Sequence, residues 1–163
     1  MLLLLKNILF TILVPGTVAF YIPLRIEGGV SSASLEWSPW KAVSVPLFVM
    51  GGAIYFWCLF DFALIGRGTP APIDAPKNLV VHGVYRYVRN PMYLGILLIV
   101  TGWVIFFQST DILIYLITVG LFFHMFVLLI EEPQLGRKFG ESYSRYRKSV
   151  GRWIPRLGRR NAV

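Results

Sequence analysis

Long apolar runs alternate with short polar stretches along the chain. Four such runs occupy residues 2–24, 42–65, 92–107 and 112–130. A helix needs about 20 apolar residues to cross a bilayer, with a range of about 17–25. The first two runs are long enough, the fourth is near the lower limit and the third is shorter, so we expect the last two to form a slightly sunken hairpin. The pattern predicts an all-α integral membrane protein with about four transmembrane helices.

Prolines and short turns divide these runs. Pro15, Gly16 and Pro23 interrupt the first run, which is longer than the apolar part of a usual secretion signal, so we expect a retained helix with a kink. Spaced prolines at 69–76 forbid a long helix there and predict an extended lead into the third run. The turn at 108–111 is short enough to make runs three and four antiparallel.

A different periodicity follows Pro133. Leu135, Phe139, Tyr143 and Tyr146 recur every three to four residues, with basic residues between them. This spacing is typical of an amphipathic helix, either lying on the membrane surface or folded over a site. The sequence at 153–155 should end it.

Composition and charge fit a small membrane protein. The 163 residues are 56% hydrophobic, with a mean hydropathy of +0.64, and we expect one domain over 1–163.

Most of the net charge of +8 falls in the loop at 66–91 and in the tail after residue 130. The positive-inside rule makes both cytoplasmic, and four spans then make the N-terminus cytoplasmic too. Beside such spans, we expect the basic tail to meet the anionic lipid headgroups of the bilayer rather than nucleic acid. The compact size and this layout suggest a prokaryotic inner membrane.

The segment before the third run carries the strongest chemical signal. Asn90 is a favoured N-cap residue and Pro91 a favoured first helical residue. The free N–H groups of such a helix start attract a carboxylate or phosphate, and Arg89 adds a fork-shaped cation. Rings suited to a heteroaromatic ligand lie nearby: Tyr85, Tyr87, Tyr93. The alternative is an ordinary capped helix with a snorkelling arginine and interfacial tyrosines.

Two adjacent carboxylates, Glu131 and Glu132, end the fourth run. Carboxylates there oppose the helix dipole and lie near low dielectric, so each needs an offsetting partner. Neighbouring helical side chains point about 100° apart, which argues against a dyad that shares one proton. One carboxylate should pair with Arg89 while the other meets a ligand; the alternative is a structural ion pair with the basic tail.

Three further residues are candidates for chemistry. His124 lies seven residues before Glu131 and on nearly the same helix face, either as a catalytic group or as a hydrogen-bonded core histidine. Asp61, an acid in an apolar run, is functional or else solvated or paired with Arg67. His82 precedes the flexible Gly83, but nothing in the sequence positions it as a base.

The signatures of soluble nucleotide and metal sites are missing from the sequence. There is no GxGxxG loop after a strand, no P-loop, no HExxH and no Cys/His metal spacing, and Cys58 is the single cysteine. We therefore expect no metal site and no disulfide. Any nucleotide cofactor would have to be held by the membrane helices themselves.

At these residues the chain resembles the isoprenylcysteine carboxyl methyltransferase and phospholipid methyltransferase superfamily. The resemblance rests on an ordered block of residues over 77–155: Gly83-Val84-Tyr85, Arg89-Asn90-Pro91-Met92-Tyr93-Leu94-Gly95, Glu131-Glu132, Leu135, Phe139-Gly140, Tyr143, Tyr146 and Trp153-Ile154-Pro155. The first two runs match only as hydrophobic helices.

The resemblance implies S-adenosylmethionine as a methyl donor bound at the cytoplasmic face, with two N-terminal spans over 1–65, a cofactor-binding core over 66–163 and the amphipathic helix closing the site. The implied cofactor contacts are Lys77, Asn78, Leu79, Val80, Tyr85, Asn90, Pro91, Met92, Tyr93 and Glu131. The candidate catalytic residues are Arg89, Glu131, Glu132 and His124.

The resemblance leaves the methyl acceptor open. The prenylcysteine enzymes carry an arginine about one turn before the first glutamate, where this chain has Phe126-Val127-Leu128. The acceptor is therefore expected to be a lipophilic or small amphiphilic molecule, with a lipid amine or a thiol as possibilities. Two alternative functions are an NADPH-dependent sterol-type reductase and a non-catalytic membrane scaffold.

Overall fold

The structure, a computed structural model, describes residues 8–28, 38–66 and 77–156. Within these ranges the chain is helical, with no strand, so the predicted all-α class is confirmed there. The helices are α1 (Ile8–Ile26), α2 (Pro39–Gly66), α3 (Pro91–Phe107), α4 (Thr110–Phe126) and α5 (Glu132–Ser149). A 3₁₀ turn at Gly83–Arg86 precedes α3, and a π-helical segment at Val127–Glu131 joins α4 to α5 without a break.

Among the described residues, three helices are long and apolar enough to cross a membrane, which indicates an integral membrane protein. They are α1 with 19 residues, α2 with 28, and the helical stretch Thr110–Ser149 with 40, which contains a kink at Gly140. Helix α3 is apolar but has 17 residues, at the lower end of what a bilayer requires. A fourth crossing at α3 stays a prediction.

The prolines of α1 determine how it is held to the bundle. Pro15 lies in a π-helical stretch, Ile12–Tyr21. Pro23 has no N–H, so the carbonyls four and five residues before it lose their helical partners. Those carbonyls belong to Ala19 and Val18, which accept hydrogen bonds from Trp103 Nε1 at 2.8 Å and Tyr115 Oη at 2.9 Å. Side chains of α3 and α4 thus satisfy the backbone that proline leaves open in α1.

Helices α2 and α3 form the closest contact in the bundle, through two glycines. A Cβ added at Gly51 would lie 2.6 Å from the carbonyl oxygen of Gly95, and one at Gly95 would lie 2.8 Å from that of Gly51. Small residues of this kind let helix backbones approach closely in membrane proteins. The contact fixes the position of α3 along the axis of α2, and therefore also the position of the first turn of α3.

A tight connection makes α3 and α4 antiparallel, as predicted. Gln108 adopts a left-handed conformation with φ of 53°, and the side chain of Ser109 accepts a hydrogen bond from the backbone N–H of Ile112. The start of α3 and the end of α4 therefore lie at the same end of the hairpin.

Helix α5 packs over the segment that precedes α3. The apolar face that the spacing predicted forms a cluster with Val150 and with the lead-in residues Leu79 and Val81; its members on α5 are Leu135, Phe139, Tyr143 and Tyr146. Gly140 interrupts regular helical geometry, with φ of 52°. That α5 closes a cofactor site stays a prediction.

Candidate active site

The two adjacent carboxylates at the end of α4 contact different partners, as predicted. Glu132 accepts hydrogen bonds from Arg89 Nη1 at 2.9 Å, and from Nε and Nη2 of Arg152 at 2.6 and 3.0 Å. Arg147 Nε lies 3.8 Å from the same carboxylate. Glu131 instead accepts a hydrogen bond from Tyr93 Oη at 3.1 Å. Glu132 therefore binds the arginines, whereas Glu131 contacts the aromatic residue Tyr93.

Arg89 is a buried cation that joins α3 to α5. Its side chain is only 7% exposed, and besides Glu132 it donates to Tyr143 Oη at 3.3 Å. Its Nε is buried and has no hydrogen-bond partner among the described residues. The hydrogen bond to Glu132 also raises the pKa of Arg152 above its ordinary value, which keeps the guanidinium group of Arg152 charged.

The segment that follows α5 returns to the start of α3. Val88 and Gly151 form a parallel bridge, and the backbone N–H of Arg89 donates to the carbonyl of Gly151 at 2.9 Å. Asn90 holds the N-cap position of α3, but its side chain makes no capping hydrogen bond. Its amide donates instead to the carbonyl of Arg152 at 3.2 Å. The predicted helix start, with Asn90 at the N-cap position and Pro91 at the first helical position, is confirmed, but the amide of Asn90 is turned toward the returning segment instead of capping the helix.

A cluster of aromatic rings contacts Glu131 through Tyr93. The ring centroid of Tyr93 lies 4.6 Å from that of Phe123 and 6.4 Å from that of Trp153. Trp153 Nε1 donates to His124 Nδ1 at 3.1 Å. His124 and Glu131 are thus brought to one cluster, although they contact different members of it.

The remaining predicted cofactor contacts are split between exposed and buried positions. Lys77 and Asn78 are exposed and bonded to the end of α2, through N–H groups that donate to the carbonyl of Gly66. The other members of the set are partly or fully buried: Leu79, Val80, Tyr85, Pro91 and Met92.

Tyr85 is fixed by the interior rather than offered to a ligand. Burial raises the pKa of its phenol well above the ordinary value, so the hydroxyl stays protonated. Its backbone carbonyl accepts from Tyr146 Oη at 2.7 Å, which ties α5 to this turn.

Asp61 and His82 form a separate pair on the α2 side. Asp61 is buried and its Oδ1 lies 3.2 Å from His82 Nδ1, while its Oδ2 has no partner among the described residues. The burial of Asp61 excludes one of its alternatives, a solvated acid; the other alternative, a pair with Arg67, lies outside the described residues. Gly83 has φ of 54°, and a Cβ there would lie 2.6 Å from both Asp61 Oδ2 and Trp57 Nε1. This close approach explains the glycine of the motif.

Sequence reasoning missed two residues that shape the site, Arg152 and Trp153. Arg152 was one of many basic residues in the tail, and no spacing rule links it to Glu132, which lies 20 positions away. Trp153 was interpreted only as the end of a helix. Two facts could have pointed to Trp153: it belongs to the family motif, and a buried indole N–H needs a hydrogen-bond acceptor.

Trp153→Phe should cost about 0.5–1.5 kcal/mol of unfolding free energy, because it removes the hydrogen bond to His124 but keeps most of the ring packing. Chemical denaturation of the detergent-purified protein, followed by circular dichroism, measures the change. A variant as stable as the unsubstituted chain would show that the indole N–H contributes nothing to holding the 150–156 segment.

These features define a class of protein: a helical integral membrane protein whose carboxylates, arginines and aromatic rings converge where a two-helix hairpin ends. The chain belongs to the phospholipid methyltransferase family, whose model matches residues 40–142.

Individual relatives share this region. A methanethiol S-methyltransferase of Pseudomonas deceptionensis is 29% identical over 141 residues, covering 83% of this chain and 50% of that protein. A protein-S-isoprenylcysteine O-methyltransferase of Schizosaccharomyces pombe is 38% identical over 80 residues, covering 47% of this chain and 33% of that protein. An uncharacterised Haemophilus influenzae protein is 35% identical over 63 residues, which is its whole length and 39% of this chain. The chain thus spans half or less of the two relatives with named activities. No solved structure matches significantly.

Proposed function

We propose that this chain transfers a methyl group from S-adenosylmethionine to a lipophilic or small amphiphilic acceptor at the membrane interface. The observation that carries the proposal is the position of Glu131. Glu132 forms the ion pairs with Arg89, Arg147 and Arg152, whereas the hydrogen bond described for Glu131 comes from the neutral hydroxyl of Tyr93. A carboxylate beside aromatic rings attracts a cationic ligand, and a sulfonium or ammonium group is such a ligand.

The chemistry of the surrounding residues fits this cofactor. Glu131, Tyr93 and Trp153 would hold a cationic or hydroxyl-bearing part of it. The first turn of α3 has no side-chain cap, so its N–H groups suit a carboxylate. Exposed Lys77 and Asn78 offer further polar contacts, while the buried Val80, Pro91 and Met92 support the site from behind. When bound, S-adenosylmethionine supplies an electrophilic methyl group.

The protein's own contribution is then alignment and exclusion of water. His124 Nδ1 accepts a hydrogen bond from Trp153, which places the proton of the neutral ring on Nε2. In this state His124 donates a hydrogen bond instead of accepting a proton, which disfavours it as a general base. Arg89 and Glu132 are bound to each other, so we assign them to positioning the start of α3 against α5.

The relatives and the charge pattern extend the proposal. The named activities of the relatives are methylation of a thiol and of a prenylated cysteine, and the family is named for phospholipids. All three suit an acceptor that enters from the lipid. Since basic residues dominate the loop before α3 and the tail, we propose that the site faces the cytoplasm from a prokaryotic inner membrane.

The test is calorimetric binding of S-adenosylmethionine, and separately of NADPH, to the detergent-purified full chain. We expect saturable binding of the methyl donor that weakens about tenfold or more in Glu131→Gln, the scale of a lost charge-assisted contact. Glu141→Gln, which removes an exposed carboxylate of α5, is the matched control and should bind normally.

Other outcomes have definite meanings. Binding of NADPH but not of the methyl donor would replace the proposal with a reductase. Binding of neither ligand by well-folded protein would leave a non-catalytic scaffold.

A further inference from the structure

An open, strongly basic cleft lies beside the ring cluster. Its volume is about 400 Å³, and the residues that line it come from the start of α3, from α5 and from the returning segment: Arg89, Arg147, Gly151, Arg152, Trp153, Ile154 and Arg156. No acidic residue is among them. Glu132 contacts the cleft arginines from behind.

The positive charge of the arginines in the cleft exceeds the single negative charge of Glu132. Three guanidinium groups share Glu132, and Arg156 adds a fourth whose Nη1 donates to the carbonyl of Lys148. Each guanidinium has five N–H donors, and these contacts use only a few of them. Arg89 is the buried member, and its Nε has no partner among the described residues. Clustered, underused guanidinium forks of this kind match the oxygens of a phosphate group.

We propose that this cleft binds the phosphate group of an anionic phospholipid, at a position separate from the Glu131 cluster. The choice of a lipid over free phosphate rests on the rim of the cleft. Ile154 lines it and its side chain is 77% exposed, although it directly follows the partly buried Trp153. An exposed apolar side chain next to arginines suits a ligand that has a charged head and an apolar body.

The position of the cleft gives such a lipid a structural consequence. Arg152 and Gly151 belong both to the cleft and to the contacts that hold the returning segment against Arg89 and Asn90. A phosphate bound there would offset the excess positive charge and favour the docked position of residues 150–156. The inference does not require methyl transfer, so it can hold or fail independently of the proposed function.

The experiment measures binding of soluble short-chain lipids to the full chain in an uncharged detergent. The ligands are dihexanoyl phosphatidylglycerol, dihexanoyl phosphatidylcholine and inorganic phosphate, each followed by microscale thermophoresis. We expect phosphatidylglycerol to bind most tightly. Arg147→Gln combined with Arg156→Gln should weaken it about tenfold or more, since each removed guanidinium takes away charge-assisted hydrogen bonds. Both arginines are exposed, so the double variant should fold.

Arg145→Gln is the matched control, because it removes the same charge from an exposed position on the same helix without lining the cleft. It should bind the lipid within about twofold of the unsubstituted chain, as expected for a screened surface charge. An equal loss in this control would show diffuse attraction to a basic surface and overturn the site. If inorganic phosphate or phosphatidylcholine binds as tightly as phosphatidylglycerol, the assignment of an anionic phospholipid as the ligand is contradicted. If the double variant unfolds, the single variant Arg147→Gln is compared with Arg145→Gln instead, and weaker phosphatidylglycerol binding by Arg147→Gln is the expected result.

Discussion

A Glu132→Gln variant should lose about 3–5 kcal/mol of unfolding free energy, the usual cost of removing one partner from a buried ion pair. Glu132 is buried and holds Arg89, whose side chain is also buried, together with Arg152. An amide of the same shape keeps the packing but leaves the guanidinium groups of Arg89, Arg147 and Arg152 without this countercharge. The loss is measured by denaturant unfolding of detergent-purified protein with circular dichroism.

Two comparisons make this result specific. Glu141→Gln removes an exposed carboxylate from the same helix and should change stability by no more than about 0.5 kcal/mol. Adding Arg152→Gln to Glu132→Gln should cost less than the sum of the two single changes, because both break the same bonds. Additive losses would contradict a shared ion-pair network at this position.

Gly51→Ala should destabilise the protein by about 1–3 kcal/mol, the range found for overpacked cores. The new methyl group would lie 2.6 Å from the carbonyl oxygen of Gly95 and 2.7 Å from Ile99 Cγ1. Backbone atoms cannot rotate out of the way, so α2 and α3 would have to separate. Thermal unfolding in detergent measures the loss, and lowered methyl-donor binding would show that the start of α3 had moved.

The adjacent glycine provides the control with the opposite sign. A Cβ at Gly52 meets nothing within 4 Å, so Gly52→Ala should be neutral or stabilise the helix by up to about 1 kcal/mol through helix propensity. If the two alanine variants behave alike, the close contact of α2 with α3 is not formed in solution.

The fold was predictable from the sequence where hydrophobic length and local turn chemistry determine it. The four apolar runs are helical wherever the structure describes them, and the short polar turn near Ser109 gave the antiparallel hairpin. The spacing after Pro133 predicted which side chains form the apolar face of α5, but not the residues that this face packs against. Those partners, Leu79 and Val81, lie more than fifty residues earlier, and an amphipathic pattern does not say whether its apolar face meets lipid or protein.

The candidate site was predictable to a similar depth. The helix-start signal and the paired glutamates indicated which chain segments converge, and the divergence of adjacent helical side chains indicated that Glu131 and Glu132 have separate partners. The identity of those partners was not predictable. The tail offers several arginines as partners for one carboxylate, and the side-chain amide of Asn90 donates to the carbonyl of Arg152 instead of capping α3. Such choices depend on distances between segments far apart in sequence, which no local pattern encodes.

The bridge between Val88 and Gly151 also bears on how the protein is made. Residues 150–156 follow every described helix in chain order, yet they complete the surroundings of Arg89 and Asn90 at the start of α3. During biosynthesis α1 to α4 can enter the bilayer before this segment has left the ribosome. Until residues 150–156 have been synthesised, Glu132 lacks Arg152 and the ring cluster lacks Trp153. The candidate site can therefore be completed only after translation of a short stretch that lies outside the hydrophobic helices.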